Sequence, residues 1–209
     1  MKISLKEKSY NYIKEKIVTC QYMPGHFLDE KELINEIGAS RTPIREALNK
    51  LEQENLLLIL PKKGVMVTDV TAQHVIDIHE LRLTLEPQII IKFSYLIDID
   101  IINKFLEDLE IIDNNNDLNT YDAQLHDYFI SLYNNQYVNL IFNSMRSQQS
   151  RIRKLTTMTT ACFNETITEH KNILVAIINK NYEESSKYYE THIINSKQRT
   201  LESLLKMKL

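Results

Sequence analysis

The chain has few of the residues that tighten or interrupt secondary structure, with 3 Gly, 4 Pro and no Trp among its 209 residues. So few turn-forming residues leave little room for a many-stranded sandwich or a glycine-rich nucleotide-binding loop, and they favour long helices. The two cysteines, Cys20 and Cys162, lie far apart and form no CxxC pair. That usage is typical of a protein kept in a reducing cytoplasm.

Long apolar runs are missing as well. The uninterrupted apolar stretches at 56–60 and 173–178 are far too short to span a bilayer. Lys2, Lys6 and Lys8 interrupt any apolar run that could serve as a signal peptide. Because 43% of the residues are hydrophobic and 25% are charged, the composition suits a soluble globular chain. We therefore expect a cytoplasmic, mainly α protein.

Charge of one sign is not concentrated in either half of the chain. Residues 1–70 hold 11 basic and 10 acidic side chains, and residues 71–209 hold 14 basic and 18 acidic ones, for a net charge of −3. A sum near zero does not by itself indicate nucleic-acid binding. Any basic patch must come from local placement.

The first 70 residues have the pattern of a winged helix-turn-helix. Apolar residues at helical spacing occupy 3–19, and Asp29 precedes a short apolar helix that ends at Gly38. Ser40 is positioned to cap the next helix, and residues 57–67 form two strand-like runs joined by a tight basic turn. This order predicts a helix, a helix-turn-helix and a hairpin.

The string SRTPIREAL, residues 40–48, resembles the recognition-helix signature of the GntR family of bacterial transcriptional regulators. The resemblance covers the first 70 residues and implies binding to a double-stranded DNA operator. Arg41 and Arg45 are four apart, so they project from one helix face and can fork onto guanine in the major groove. The alternative is a solvated helix face whose charge is partly offset by Glu46.

Further DNA contacts are expected around this helix and at the hairpin turn. By the resemblance, Lys31 stands where relatives often carry Arg, and we expect it to contact phosphate. The hydroxyls of Ser40 and Thr42 can also hold phosphate. The turn of the hairpin suits a wing tip on the DNA backbone or in the minor groove, although lysine-rich turns also occur for solubility alone; its residues are Lys62, Lys63 and Gly64.

From residue 71 onward the sequence is helix-periodic almost throughout. We predict six helices near 71–96, 98–113, 117–134, 136–159, 164–179 and 182–206. The expected architecture is therefore a winged helix-turn-helix domain at 1–70 followed by an all-α bundle at 71–209.

The second half resembles the FCD type of ligand-binding domain, in its shorter, VanR-like form with six helices. The residues that carry the resemblance are ELRLTLE at 80–86, Asp122 to His126, Glu169-His170, and 189–192. The resemblance implies that the bundle binds an effector and mediates homodimerisation.

The same residues indicate a metal site on chemical grounds. Asp122 and His126 are one helical turn apart, so both leave the same face, and His170 and His192 lie on two later helices. One carboxylate and three imidazoles form a donor set for Zn, Ni or Mn, with open positions for water or a small organic carboxylate. The alternative is that each histidine is a buried residue with its own hydrogen-bond partner.

The candidates to fork the carboxylate of such a ligand are Arg82 in the first helix of the bundle and Arg151 or Arg153 in the fourth. Arg151 and Arg153 are two residues apart and cannot both face inward, and we prefer Arg82 and Arg151. The competing interpretation of Arg82 is an intrahelical pair with Glu86.

The sequence therefore predicts a homodimeric regulator, most simply a repressor, whose operator binding responds to a small acid at a metal site. One alternative is a metal-dependent hydrolase or lyase using the Asp/His cluster, although Glu169, adjacent to His170, points about 100° away from it. Another is a helical dimerisation module without an effector. The effector, the operator and the metal stay open at this point.

Overall fold

The computed structural model describes residues 4–156 and 159–206. Contacts within the chain divide it into two compact units, Met1–Thr71 with Ser144–Leu155, and Ala72–Asn143 with Thr156–Leu209. The grouping of Ser144–Leu155 with the N-terminal unit differs from the simple division 1–70 and 71–209. Periodicity alone carries no information on which unit a helix packs against.

The first unit combines three helices with a small antiparallel sheet. Its elements are α1 (Leu5–Val18), β1 (Phe27–Leu28), α2 (Glu30–Ile37), α3 (Arg41–Gln53), β2 (Leu57–Leu60) and β3 (Gly64–Val67). The strand order is β1-β3-β2, and β2 and β3 form the predicted hairpin. The two-residue strand β1 was not predicted, because it is too short to show an alternating pattern.

Local chemistry explains where the two helices of the helix-turn-helix begin and end. The Asp29 carboxylate accepts hydrogen bonds from the backbone N–H groups of Lys31 and Glu32, which caps α2 as predicted. Gly38 ends α2 with φ of +69°, a left-handed conformation that glycine adopts without strain. Ser40 occupies the N-cap position of α3, but its hydroxyl makes no capping hydrogen bond.

The second unit is helical. Its elements are α4 (Ala72–Lys92), a short 3-10 helix (Ser94–Leu96), α5 (Ile99–Glu110), α6 (Asn115–Leu132), α7 (Gln136–Leu155, of which the second half belongs to the first unit), α8 (Thr160–Ile178) and α9 (Tyr182–Lys206). The six predicted helices are confirmed within the described residues. The predicted end of the fourth helix at 159 was too late, since α7 ends at Leu155; residues 157 and 158 lie outside the described part of the chain.

Each unit has its own apolar core. In the first unit, α1 contributes Ile13 and Ile17, and α3 contributes Ile44 and Leu48, all essentially inaccessible to solvent. The core of the second unit draws on α4, α5, α6, α8 and α9, with residues such as Leu125, Phe129, Ile173 and Ile193. No helix in residues 4–156 or 159–206 is long and apolar enough to cross a bilayer.

Candidate metal centre and nucleic-acid interface

The predicted aspartate and three histidines converge inside the second unit. Asp122 and His126 lie one turn apart on α6, His170 lies on α8 and His192 on α9. Each of the four residues offers one ligand atom, and these atoms all lie within 4.8 Å of one another. The histidines are buried and Asp122 is partly buried.

The Asp122 carboxylate faces the three imidazoles. Its Oδ1 lies 3.2 Å from Nε2 of His126, 3.3 Å from Nε2 of His170 and 3.5 Å from Nε2 of His192. Among the described residues, however, neither nitrogen of His170 nor Nε2 of His192 has a partner with hydrogen-bond geometry. Buried polar atoms are rarely left unsatisfied, so these nitrogens fit a ligand set that a cation would complete.

Behind His126 lies a buried carboxylate that is itself held by an arginine. Glu86 Oε2 lies 2.6 Å from His126 Nδ1, and Arg82 Nε donates to Glu86 Oε1 at 3.1 Å. The Tyr189 hydroxyl also contacts His126 Nδ1. Burial alone would raise the pKa of Glu86, but the charge of Arg82 and the hydrogen bond with His126 outweigh it and hold that pKa at about 2. Glu86 is therefore an anion at neutral pH.

His192 has a similar carboxylate behind it, from α8. Glu169 Oε2 lies 2.9 Å from His192 Nδ1, and Arg199 binds both oxygens of the same carboxylate. Burial acts to raise the pKa of Glu169, but hydrogen bonds from Arg199 and His192 lower it to about 2.

His170 differs from the other two histidines because no carboxylate supports its Nδ1 among the described residues. Burial, together with the neighbouring His192, lowers the pKa of His170 to about 4. The ring is therefore neutral at physiological pH, which is the form that coordinates a metal.

The structure places the two predicted effector arginines differently. Arg82 is buried beside the cluster, and its guanidinium contacts both ring nitrogens of His126. It also forms the intrahelical pair with Glu86 that was the competing interpretation from the sequence. Arg151 is held in the first unit, where its guanidinium donates to the Thr68 hydroxyl at 3.0 Å and contacts the Thr68 carbonyl. The expectation that Arg151 accompanies Arg82 at an effector site is thus corrected: its guanidinium binds backbone and side-chain oxygens of the first unit instead.

The predicted DNA-contacting arginines lie on the exposed face of α3. The side chains of Arg41 and Arg45 are 62% and 59% exposed, and both approach Glu30 Oε2, at 3.7 Å and 3.3 Å. Glu46, named from sequence as the nearby acidic group, instead pairs with Lys6 at 3.2 Å. Exposed pairs of this kind contribute little to stability, so the arginines can exchange Glu30 for another partner.

The other residues predicted to contact DNA are all exposed in the first unit. Lys31 lies in the first turn of α2, and Ser40 and Thr42 lie at the start of α3. Lys62 and Lys63 lie in the turn between β2 and β3, and Gly64, whose φ of +112° favours glycine, is the first residue of β3. Whether these residues contact DNA stays a prediction.

Sequence reasoning missed the residues that surround the ligand histidines. Glu86, Glu169, Tyr189 and Arg199 were not predicted to support the site, although Glu86, Glu169 and Tyr189 fall inside the motifs named from the sequence. The sequence analysis argued against a catalytic role for Glu169 because it leaves α8 in a different direction from His170. That direction brings Glu169 to His192 on α9.

Comparison with known proteins matches the chain to two described families. Residues 5–67 match the family described as "Bacterial regulatory proteins, gntR family", and residues 77–195 match the FCD domain, which is more than half of the chain. The "Uncharacterized HTH-type transcriptional regulator YdhC" of Bacillus subtilis is 25% identical over 88% of this chain and 85% of its own length. The "Gluconate operon transcriptional repressor" of Bacillus subtilis is 27% identical over 64% of this chain and 57% of its own length.

Solved structures share the fold. A putative transcriptional regulator GntR from Rhodococcus sp. RHA1 superposes with a TM-score of 0.81 at 18% identity, covering 95% of this chain and 98% of that one. McbR/YncC of E. coli superposes with a TM-score of 0.72, also at 18% identity, covering 93% and 96%. The alternative of a hydrolase or lyase is not supported, because proteins of this family are regulators and not enzymes. The chain belongs to the GntR family of bacterial DNA-binding transcriptional regulators and carries an FCD domain.

Proposed function

We propose that this regulator is a homodimeric repressor whose operator binding changes when a small organic carboxylate binds at a divalent metal in the FCD domain. The metal would be held by Asp122, His126, His170 and His192. The observation that carries the proposal is the convergence of four ligand atoms within 4.8 Å, including buried imidazole nitrogens that lack a hydrogen-bond partner among the described residues.

The donor set supports a transition metal such as Zn, Ni or Mn. Three imidazoles with one carboxylate are intermediate in softness, whereas Ca and Mg prefer oxygen alone. A bound ion would supply positive charge and open coordination positions for the oxygens of a carboxylate. The choice among the three metals is a matter for measurement.

Arg82 supports the proposed class of effector. Its guanidinium is buried against His126 and is already oriented by Glu86. A buried guanidinium at this position favours a ligand with negative charge, because carboxylates accept paired hydrogen bonds from arginine. We therefore infer that Arg82 contributes to holding the effector carboxylate.

The DNA contacts are proposed for the exposed face of α3 and for the turn of the hairpin. Arg41 and Arg45 would enter the major groove and contact base edges. Lys31, Ser40 and Thr42 would bind phosphates, and the turn of Lys62, Lys63 and Gly64 would lie on the backbone or in the minor groove. In a homodimer, two such surfaces match a two-fold symmetric operator.

The repressor role rests on the named function of one relative, the gluconate operon repressor of Bacillus subtilis. An effector can alter DNA binding only if it binds the DNA-competent and DNA-incompetent states with different affinities. The sign of that difference decides whether the acid releases the protein from its operator or strengthens binding.

Two measurements test the proposal. Elemental mass spectrometry of tag-free protein, purified without chelator, should find about one transition metal per chain, and His170→Ala should lose it. A protein that holds no metal even after add-back would refute the metal site.

The second measurement uses a DNA duplex selected from a random library by the wild-type protein. The affinity of the protein for this duplex should fall steeply with added salt, because phosphate contacts release counterions. The same affinity should change when one of a panel of small carboxylic acids is added to metal-loaded protein. Arg45→Ala should weaken binding to this duplex. Lys104→Ala, which removes an exposed cation from α5, is its control and should leave binding unchanged. A carboxylate panel without effect on operator affinity would refute the effector assignment and leave DNA binding intact.

A further inference from the structure

We propose that Glu169 and Arg199 form a positioning pair that fixes the tautomer and orientation of His192, so that its Nε2 carries the lone pair directed at the metal. The proposal rests on the metal site of the preceding section, but it concerns two residues outside the ligand set. Neither would touch the ion.

The Glu169 carboxylate is surrounded by three donor groups and one ring nitrogen of His192. Its Oε1 accepts from Asn195 Nδ2 at 2.8 Å and from Arg199 Nη1 at 2.8 Å. Its Oε2 accepts from Arg199 Nη2 at 2.7 Å and lies 2.9 Å from His192 Nδ1. Side chains of Glu169 and Arg199 are 14% and 13% exposed, so solvent screens this pair only weakly.

The contact with His192 determines which ring nitrogen bears the proton. Asn195 and both Nη atoms of Arg199 donate to the two carboxylate oxygens, so Glu169 acts as an acceptor here, and Nδ1 of His192 must donate to it. In the neutral ring, Nε2 is then the unprotonated nitrogen. That nitrogen faces Asp122 and has no hydrogen-bond partner among the described residues, as a metal ligand should.

The spacing along two helices makes the arrangement possible. His192, Asn195 and Arg199 are three and four residues apart, so they share one face of α9. Glu169 precedes His170 directly on α8 and therefore leaves the helix about 100° away from it. His170 can point into the cluster while Glu169 reaches around to the rear of His192.

Arg199 holds the carboxylate in place more firmly than an ordinary surface pair would. Its two Nη atoms bind the two oxygens of Glu169, and this bidentate geometry restricts rotation of the carboxylate. Its other acidic neighbour, Glu165, lies 3.6 Å away and is 62% exposed. Glu165 thus offers a matched control, because it shares Arg199 but does not contact His192.

The closing experiment compares Glu169→Gln and Glu165→Gln with the wild type by chelator-competition titration of Zn and by the absorption spectrum of the Co-substituted protein. Removing an outer-shell partner of a ligand histidine typically weakens metal binding about 10–100-fold. We expect that loss and a changed Co spectrum for Glu169→Gln, with neither change for Glu165→Gln. Equal Zn affinity and identical Co spectra in all three proteins would overturn the positioning role while leaving the metal site in place.

A metal-free measurement separates this inference from the metal proposal. Nitrogen-15 NMR of the neutral His192 ring should find the proton on Nδ1 in the wild type, and on Nε2 in a substantial fraction of Glu169→Ala molecules. A wild-type ring protonated on Nε2, or a tautomer unchanged in Glu169→Ala, would overturn the inference even if the protein binds no metal. Melting curves of each variant identify any that fail to fold, and for those Arg199→Lys replaces the glutamate variant, with the same expected loss of Zn affinity.

Discussion

His170 should destabilise the metal-free protein and stabilise the metal-loaded one. Its ring is fully buried on α8, and neither nitrogen has a partner with hydrogen-bond geometry among the described residues, although Asp122 Oδ1 lies 3.3 Å from Nε2. A buried polar group left without a partner costs about 1–3 kcal/mol. Replacing the ring by an apolar side chain of similar size, as in His170→Leu, removes that cost but sacrifices about 1 kcal/mol of packing.

The expected net gain for the metal-free variant is about 1 kcal/mol, which corresponds to a rise in Tm of about 2–4 °C for a chain of this size. With added metal, the wild type should become more stable than His170→Leu. A metal present at 100 times its Kd stabilises the folded protein by about 2.7 kcal/mol. His170→Leu lacks one of the four proposed metal ligands and should not gain this stability in full. The wild type should then melt about 5–10 °C higher than without metal.

Differential scanning calorimetry with chelator and then with added Zn measures both effects on the same proteins. His79→Leu is the matched control, because His79 is also buried in the second unit but its Nδ1 bonds the Val75 carbonyl at 2.7 Å. Relative to wild type, His79→Leu should gain no stability in either condition. If metal-free His170→Leu melts clearly below metal-free wild type, the histidine is a packing residue and our reasoning about its unsatisfied nitrogens is wrong.

Three further predictions address the first unit. Arg45→Ala should weaken operator binding by about 1–3 kcal/mol without lowering Tm, because its pair with Glu30 is exposed; unchanged affinity in a fluorescence anisotropy titration would contradict its assignment to the DNA interface. Arg151→Met should destabilise the protein to denaturant by about 1–3 kcal/mol by leaving the Thr68 carbonyl unpaired, with carboxylate affinity unchanged; a selective loss of carboxylate binding would instead restore it as an effector ligand. For Glu54, burial acts to raise the pKa, but hydrogen bonds from Lys14 and Tyr10 outweigh it, so the folded pKa lies below the ordinary value of 4.5. Its stabilising contribution is present above 4.5 and is lost as the pH falls through the folded pKa, so urea titrations should find the gap between wild type and Glu54→Gln narrowing in acid.

Much of the first unit could be predicted because its signals are local. Asp29 and Gly38 set the ends of α2 through bonds and dihedral angles within a few residues, and the hairpin follows from two apolar runs around a basic turn. The proximity of Asp122 and His126 could also be predicted, because the two residues are one helical turn apart on the same helix. Placing His170 and His192 beside them required the resemblance to a known family.

Contacts between residues far apart in sequence were decided by the tertiary structure. Glu86 meets His126 across 40 residues and Glu169 meets Arg199 across 30, and nothing in the spacing of these residues predicts either pair. The second half of α7 has the periodicity of a bundle helix, yet Arg151 bonds Thr68 in the first unit.

The sequence by itself thus determined the helices, the hairpin, the family and the identity of the four candidate metal ligands. Local hydrogen bonds, dihedral preferences and side-chain periodicity act within about one helical turn, so they can be recognised from neighbouring residues. The tertiary structure alone decided which carboxylate lies against which histidine, that Arg82 contacts His126, and that Arg151 binds Thr68. Those outcomes depend on how helices pack against one another, where burial and charge select partners that the order of residues along the chain does not specify.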